Sequence, residues 1–327
     1  MNGGVYTSPF IQKKAVFEMG STSRSAGNLQ GFRFKKWFGK EITTWLFIIP
    51  SLLVFIFFVW QPLISTFYLS LFKTAGFNAV KFIGLGNYID IMTNSEFIGT
   101  LFNSAKYVFW SLVIGFAVPI IIGILISEMV HLGSFFKFAI YFPTMIPIVA
   151  TSMLWQIIFD PAARGALNTV LINLGFQPFT WLSNPSWSIP LIIIMTTWGA
   201  FGGTTLLYIA SFQGVNQELY EAASIDGANV WQRIRNITLP GVSNVLSLML
   251  IMQIVTVFQM YIQPMILTNG GPRNSSMTLI LKSFNYAFVS LEAGKSMATG
   301  VVTCCLLFIP AFIYYRISQK GDTRGVS

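Results

Sequence analysis

The sequence predicts an all-α membrane protein with six transmembrane helices, and three observations carry this prediction. The chain of 327 residues is 54% apolar and only 9% charged, whereas about a quarter of the residues in soluble globular proteins are charged. Several stretches without Asp, Glu, Lys or Arg reach the roughly 20 residues that a spanning helix needs. The 20 basic residues outnumber the 11 acidic ones, and they concentrate on alternate connecting segments, as charges do that orient membrane proteins.

Each predicted span lies within a stretch free of charged residues, and turn signals set the ends of the longer stretches. The first span follows Glu41, too far into the chain for a cleaved signal peptide, so we expect it to remain as an anchor. Asn184-Pro185 precedes the fourth span, and Asn269-Gly270-Gly271-Pro272 closes the fifth. The sixth lies between Lys295 and Arg316. The predicted spans are 42–66, 107–127, 138–159, 188–212, 242–267 and 296–315.

An even number of spans places both ends of the chain on the same side of the membrane. With the N-terminus in the cytoplasm, thirteen Lys and Arg residues lie on the inner segments and seven on the outer ones, in agreement with the positive-inside rule. We therefore expect an N-in, C-in topology with cytoplasmic tails at 1–41 and 316–327. The basic aromatic stretch at 32–38 either orients the first span or lies on the inner membrane surface.

The composition also narrows the function. Catalytic sites need nucleophiles, bases or metal ligands, but His131 is the single histidine and falls in a short inner loop. Cys304 and Cys305 are adjacent in an apolar run, so they provide neither a disulfide framework nor a metal quartet. The predicted span cores contain essentially no ionisable residues, which mark ion and proton pathways. We expect a protein that is not an enzyme, holds no metal or cofactor, binds no nucleic acid and takes energy from another subunit.

The predicted inner loop at 217–240 reads as two short helices with a break at Asp226-Gly227. Glycine can take the positive φ that such a break needs, and Asp226 can cap the second helix by accepting hydrogen bonds from backbone N–H groups. Apolar residues recur at helical spacing on both halves. Periodicity alone leaves open an ordinary amphipathic loop that rests on its own bundle.

The same loop resembles the EAA loop of bacterial binding-protein-dependent ABC importers. Glu221-Ala222-Ala223 is followed after three residues by Gly227, and after nine more by Ile237, one residue and Leu239-Pro240. Every element stands at the family's spacing. Similarity to the maltose-type sugar permeases covers roughly residues 42–315, although the large outer-loop insertion of the maltose permease is missing. Two further segments carry it: Phe82-Ile83-Gly84-Leu85-Gly86-Asn87-Tyr88 and Leu267-Thr268-Asn269-Gly270-Gly271-Pro272.

The resemblance implies a type I ABC importer transmembrane domain at 42–315, with 217–240 as the coupling helix seated in a cytoplasmic ATPase. Glu221 would contact the ATPase, Ala222 and Ala223 would allow close approach, and Gly227 would set the angle between the two helices. The coupling segment also includes Asp226, Ile237, Leu239 and Pro240. The implied partners are a second permease subunit in a heterodimer, two ATPase copies that bind the ATP, an extracytoplasmic solute-binding protein and the lipid of the bacterial cytoplasmic membrane.

A polar stripe on the fifth predicted span indicates the substrate pathway. Its members follow steps of 3, 3 and 4 residues and so share one face of a helix: Gln253, Thr256, Gln259 and Gln263. Amides supply donors and acceptors to hydroxyl-rich ligands without adding net charge. Interhelical hydrogen bonding is the alternative role for such residues. The fourth span adds Thr196 and Trp198, and the resemblance favours Thr196, Gln253 and Thr256 as contacts.

Together these features predict the permease subunit of an ABC importer for a carbohydrate, with an oligosaccharide as the first expectation. A solute-binding protein would deliver the cargo, and ATP hydrolysis in partner subunits would drive it inward. Arg164 and Arg273 on the outer segments keep open an anionic cargo such as a sugar phosphate or a uronate. A stand-alone channel or secondary carrier is the more remote alternative, because the spans are poor in ionisable groups.

Overall fold

A computed structural model describes residues 45–129 and 133–322, with side chains to residue 316. The predicted tail at 1–41, His131 and the end of the second tail at 323–327 lie outside the described residues. The chain divides into two compact units after Pro62. In the first unit, the described residues are helical and include a π turn at Ile56–Trp60.

The second unit begins inside the first helix, α1 (Trp45–Ser70), and continues with an antiparallel hairpin. The hairpin consists of β1 (Phe72–Ala75) and β2 (Asn78–Phe82). Gly84, with φ of +56°, then turns the chain into α2 (Gly86–Thr93). The prediction of an all-α fold is confirmed for the spans. The hairpin was not predicted, because its strands are only four and five residues long.

Buried Asn87, from the segment Phe82 to Tyr88, fastens the hairpin to the bundle. Its side-chain amide donates to the carbonyl oxygens of Ser70 and Phe72, each at 2.8 Å. A Cβ atom at Gly294 would overlap the Phe72 carbonyl oxygen, so the backbones approach closely there. Asn87 and Gly294 therefore both serve to hold the hairpin against the bundle.

The second span, α3 (Ser95–Ser127), starts earlier than the predicted 107–127. The side chain of Asn94 accepts hydrogen bonds from the N–H groups of Glu96 and Phe97, which caps the helix there. The helix then continues through Lys106. The predicted start is wrong because it relied on the charge of Lys106 rather than on this cap.

The third span is broken, so the single helix predicted at 138–159 is wrong. It consists of α4 (Gly133–Met145) and α5 (Ile148–Ile158), which meet at an angle of 96°. Ile146 is extended, with φ of −81° and ψ of 129°. The cause is Pro147, because a proline disfavours the helical conformation of the residue before it.

The fourth span matches its prediction of 188–212 to within one residue. A short helix, α6 (Ala166–Asn173), precedes it, and the span itself is α7 (Ser188–Gln213). The main hydrophobic core lies along the first half of α7. Its fully or nearly buried residues there are Ile189, Leu191, Ile192, Ile193 and Met195.

The fifth span is shorter than the predicted 242–267. After α8 (Gln217–Ile225), α9 (Val230–Gly241) meets α10 (Ser243–Phe258) at 73°, and α11 (Ile262–Thr268) follows as a separate helix. In one continuous helix the N–H of residue 264 would bond the carbonyl of Met260, but Pro264 has no N–H. The Met260 carbonyl instead accepts from the Thr278 hydroxyl at 2.8 Å.

The chain ends with α12 (Leu279–Val289) and α13 (Ala293–Asp322), and α13 contains the sixth predicted span. The described residues thus hold four helices long and apolar enough to cross a membrane, together with two bent pairs. Counting each bent pair as one crossing confirms the prediction of six spans.

Buried Asn168 organises the segment between α5 and α7. Its side-chain amide donates to the carbonyls of Pro161, Ala162 and Phe179 at 3.0–3.1 Å. Its side-chain oxygen accepts from the Phe179 N–H at 2.9 Å and from the Trp181 indole N–H at 2.7 Å. The Asn168 side chain therefore satisfies hydrogen-bonding groups of four residues in the segment that connects α5 to α7.

We expect Asn168→Ala to lower the free energy of unfolding by about 3 kcal/mol, because each buried backbone group left without a partner costs about 1–3 kcal/mol. Thermal unfolding of the detergent-purified protein measures the change. Thr169→Ala is the matched control, since Thr169 is exposed on the same helix. Equal melting temperatures for the two variants would contradict this role.

Candidate functional site

Helix α3 connects two opposite ends of the bundle. Near its start, the side-chain amide of Asn103 donates to the Asn274 carbonyl at 2.7 Å. Just beyond its other end, a carboxylate oxygen of Glu128 lies 3.6 Å from the guanidinium of Arg233, in α9. We call the end at Arg233 the loop end, because the segment 217–240 lies there, and the other the opposite end.

The segment 217–240 forms two helices, α8 and α9, with a sharp break where the sequence predicts one. The N–H of Ala228 donates to the Ala223 carbonyl at 2.9 Å, and the N–H of Gly227 donates to the Ser224 carbonyl at 3.2 Å. This pair of bonds is a Schellman motif, which requires a left-handed residue after the helix. Gly227 supplies it with φ of +77°.

The cap of α9 is Asn229, so the expected capping by Asp226 is wrong. The Asn229 side-chain oxygen accepts from the Gln232 N–H at 2.9 Å, and the Gln232 side-chain oxygen accepts from the Asn229 N–H at 2.8 Å. This reciprocal pair is a capping box. Asp226 is exposed and ends α8 instead, because Gly227 and the next residue complete the turn before the new helix begins.

Three contacts hold α8 and α9 to each other and to the bundle. The Tyr220 and Thr238 hydroxyls lie 2.9 Å apart and join the two helices. The ion pair of Arg233 with Glu128 joins α9 to the end of α3, although a partly exposed pair of this kind contributes only about 0–1 kcal/mol. The buried side chain of Ile234 adds apolar packing. The loop is therefore anchored to the bundle through α9, whereas α8 buries no residue.

The loop also carries strongly exposed apolar side chains. Ile225 is 87% exposed and Trp231 is 68% exposed. Glu221 and Ala222 are exposed beside them, and Ala223 is half-buried. Large apolar side chains this exposed on a loop that carries Glu221 and other polar residues make the loop a candidate protein-binding surface.

The Leu239-Pro240 pair lies where α9 turns into α10. The chain bends by 73° there, and Val242, between the two helices, is buried. Ile237 and Leu239 are half-buried, whereas Pro240 is exposed. Only Val242 separates the end of α9 from the start of α10.

A cavity of about 550 Å³ lies between α4, α5, α7, α10 and α11. Three predicted pathway residues line it, namely Thr196, Thr256 and Gln263, and all twelve lining residues are uncharged. The hydroxyls of Thr196 and Thr256 each donate to a backbone carbonyl of their own helix at 2.8 Å. Their oxygens therefore remain as acceptors, and the Gln263 amide offers both donors and an acceptor.

A smaller crevice of about 60 Å³ adjoins this cavity, because the two share Thr196, Ala200 and Thr256. Gln253 and Thr197 line the crevice. The two spaces lie side by side, and their linings together contain four of the six predicted pathway residues.

Gln259 and Trp198 are absent from the lining of both cavities. Gln259 is exposed at the end of α10, so the predicted single stripe is wrong: the helix stops, and Gln263 reaches the cavity from α11. Trp198 packs edge to face on Trp155, with ring centroids 5.7 Å apart. Its contact is therefore aromatic packing.

Among the cavity residues that were not predicted from the sequence, three bear on the polarity or the shape of the site. Thr144 and Thr151 line the larger cavity from the two sides of the break at Pro147. A proline flanked by threonines within an apolar run is a signal that could have found them. The third is Gly115 of α3, which lines the smaller crevice and has no comparable signal in the sequence.

A six-span bundle with an uncharged cavity between its spans and a two-helix loop at one end is typical of a membrane transport subunit. The chain belongs to the family described as binding-protein-dependent transport system inner membrane component, whose sequence profile matches residues 115–321. It is accordingly a multi-pass permease subunit of a bacterial inner membrane that works with a binding protein, and it is not an enzyme.

Three relatives match this chain along almost their whole length. The arabinooligosaccharides transport system permease protein AraP of Bacillus subtilis is 30% identical over 303 residues, which cover 92% of this chain and 96% of that protein. The trehalose/maltose transport system permease protein MalF of Thermococcus litoralis is 28% identical, with 84% and 93% covered. The lactose transport system permease protein LacF of Rhizobium radiobacter is 28% identical, with 92% and 99% covered.

The fold also matches a solved structure. A bacterial ABC transporter involved in the import of the acidic polysaccharide alginate aligns with a TM-score of 0.79 at 22% identity, covering 88% of this chain and 99% of that one. A bacterial alginate ABC transporter in complex with an alginate pentasaccharide-bound periplasmic protein aligns with a TM-score of 0.78 at 21% identity. The fold is thus that of an ABC importer permease.

Proposed function

We propose that this chain is the permease subunit of an ABC importer for a neutral oligosaccharide. The observation that carries the proposal is the cavity of about 550 Å³ in which four threonines and one glutamine stand among seven apolar residues, with no charged residue in the lining. Burying an unpaired carboxylate or phosphate in such a space is costly, whereas sugar hydroxyls match its donors and acceptors. The sugars named for the relatives AraP, MalF and LacF support the same class of cargo.

The substrate path in this proposal runs past the polar side chains that α7, α10 and α11 contribute to the two cavities. Thr196 and Thr256 accept hydrogen bonds from sugar hydroxyls, and Gln263 and Gln253 both donate and accept. Gln259 and Trp198 act outside the path. Neutral groups of this kind hold a sugar weakly enough for it to move on, because each net hydrogen bond contributes only about 1 kcal/mol.

The loop at 217–240 couples this path to ATP hydrolysis. The exposed apolar side chains of Ile225 and Trp231 seat in an ATPase subunit, and Glu221 adds a polar contact. Ala222 and Ala223 allow close approach, and Gly227 fixes the angle between α8 and α9. Motion of the ATPase then reaches the spans through the rest of the segment: Asp226, Ile237, Leu239 and Pro240.

The assembly comprises this chain, a second permease subunit, two ATPase copies and an extracytoplasmic binding protein. The second permease completes the cavity, which is open to the surroundings in this chain alone. The ATPase subunits bind the ATP, and the permease needs no cofactor of its own. The loop end and the tails at 1–41 and 316–327 lie in the cytoplasm, and the binding protein docks at the opposite end.

Uptake by the reconstituted complex tests the proposal. The complex, purified by a tag on this chain with its ATPase and binding protein, is placed in proteoliposomes. We expect ATP-dependent uptake of at least one labelled neutral sugar among arabinotriose, maltotriose, trehalose and lactose. Alginate trisaccharide and glucose 6-phosphate should stay outside. Uptake confined to the anionic sugars, or uptake that needs no ATP, would overturn the proposal.

A further inference from the structure

Helix α3 contains a π turn at Ser111–Phe116, in the middle of the bundle. Such a turn adds one residue to the helix and shifts the direction of the residues that follow, and it occurs frequently at functional sites. The residue that this turn presents to α7 and α10 is Gly115, which is buried. None of the functional roles argued above uses it.

Gln253 and Thr197 fill the space that a side chain at Gly115 would occupy. A Cβ atom placed on Gly115 would overlap the amide nitrogen of Gln253 and would lie 3.3 Å from the Thr197 hydroxyl oxygen. The Gln253 amide therefore rests directly on the Gly115 backbone. Any larger residue there must push the amide away, because Gln253 of α10 and Thr197 of α7 close the space from two sides.

The polar groups in this place have unused hydrogen-bonding capacity. In the described part of the chain, the Gln253 amide and the Thr197 hydroxyl make no hydrogen bond to another protein group. Both line the small crevice that adjoins the larger cavity through Thr196 and Thr256. An amide held in position beside a cavity, with donors and an acceptor free, is arranged to bind a polar ligand.

We propose that Gly115 is a specificity-determining position, because it provides the seat that fixes the Gln253 amide at one depth of the sugar path. From that seat Gln253 and Thr197 bind one hydroxyl pair of the passing sugar, and the seat sets which sugar stereochemistry is accepted. The proposal rests on the function proposed above. Gly115 is a positioning residue, since it acts through Gln253.

The test compares Gly115→Ala with Gly99→Ala in the reconstituted complex. Gly99 is on the same helix, and a Cβ there meets no atom within 4 Å. The probe is the neutral sugar of the panel that the wild-type complex takes up fastest. We expect Gly115→Ala to lower uptake at low sugar concentration by about tenfold and to change the order of preference among the four sugars. Gly99→Ala should match the wild type.

Two changes at Gln253 separate binding from packing. Gln253→Met keeps the length of the side chain but removes its hydrogen bonds, so uptake should fall by about tenfold if the amide binds sugar. Gln253→Asn is shorter by one methylene, so in the double variant with Gly115→Ala it should restore much of the lost uptake. Wild-type uptake in Gln253→Met, or a Gly115→Ala complex with unchanged sugar preference, would overturn the inference.

These measurements also distinguish a failure of the proposed function from a failure of the role proposed for Gly115. A wild-type complex that takes up none of the neutral sugars refutes the proposed function. A wild-type complex that takes them up, with a double variant no better than Gly115→Ala alone, refutes only the role of Gly115. If Gly115→Ala reduces the amount of assembled complex, Gln253→Met decides the matter, because it leaves the glycine seat intact.

Discussion

Replacing Gly227 by proline is expected to abolish ATP-driven sugar uptake while the protein still inserts in the membrane. Gly227 has φ of +77°, whereas proline is confined to φ near −65°. Proline also removes the N–H that donates to the Ser224 carbonyl in the Schellman motif. Proline therefore forces the chain out of this turn and changes the angle between α8 and α9. We expect at least about a 100-fold loss of uptake, which corresponds to about 2.8 kcal/mol of lost coupling at about 1.4 kcal/mol for each factor of ten.

A graded series at the same position shows whether the angle between α8 and α9 is what matters. A side chain at Gly227 meets no atom within 4 Å, so substitutions there act through the backbone alone. Asparagine tolerates the left-handed region and should retain most uptake, whereas alanine loses about 1–2 kcal/mol and should be intermediate. Substrate-stimulated ATPase activity and uptake are measured together. Normal stimulation in the proline variant would count decisively against a coupling role.

Membrane insertion provides the control for this series. The loop leaves the spans by way of Gln213, and its substitutions do not touch the apolar surfaces that lipid solvates. The amount of protein in the membrane fraction should therefore equal that of the wild type in every variant. Loss of the proline variant from the membrane would mean that Gly227 serves folding rather than coupling.

The sequence was sufficient for features that depend on composition and on local spacing. Lipid as solvent imposes long apolar segments, so six spans could be counted from charge-free stretches. The fourth span was placed to within a residue, since its ends are marked by Asn184-Pro185 and by the start of the loop. The break in the loop was found for the same reason, because Gly227 is a local conformational signal.

Where two local signals in the sequence conflicted, the prediction placed the break or the cap of a helix at the wrong residue. Pro147 and Pro264 lie inside apolar runs, and hydropathy alone gave no reason to break a helix at either one. The cap of α9 was assigned to Asp226 because it precedes the glycine, but the turn out of α8 needs two residues before Asn229 can begin the next helix. In both cases a backbone requirement outweighed the pattern of side chains.

The candidate site was the least predictable feature because it is assembled from distant segments. Thr196 and Gln253 could be named, since polar residues stand out in apolar spans. That Gln263 reaches the cavity from a separate helix, and that Gly115 seats the Gln253 amide, depends on how α3, α10 and α11 pack. No single segment contains that information.

The second large effect is expected at the exposed surface of the loop. Ile225 is 87% exposed, more than any other large apolar residue in the described part of the chain, and it lies directly before the break at Gly227. Full burial of a side chain of this size contributes about 1.5–3 kcal/mol, and an unpaired carboxylate in its place adds the cost of burying a charge. Ile225→Asp should therefore separate the permease from its ATPase.

Co-purification on a tag carried by this chain measures that separation, and we expect about a 100-fold loss of bound ATPase with no loss of permease from the membrane. Val289→Asp is the matched control: Val289 is 71% exposed but belongs to α12, outside the loop. It should retain the ATPase. If Ile225→Asp binds as much ATPase as Val289→Asp does, the exposed apolar surface of the loop is not the docking site. The contact would then have to be sought elsewhere at the loop end.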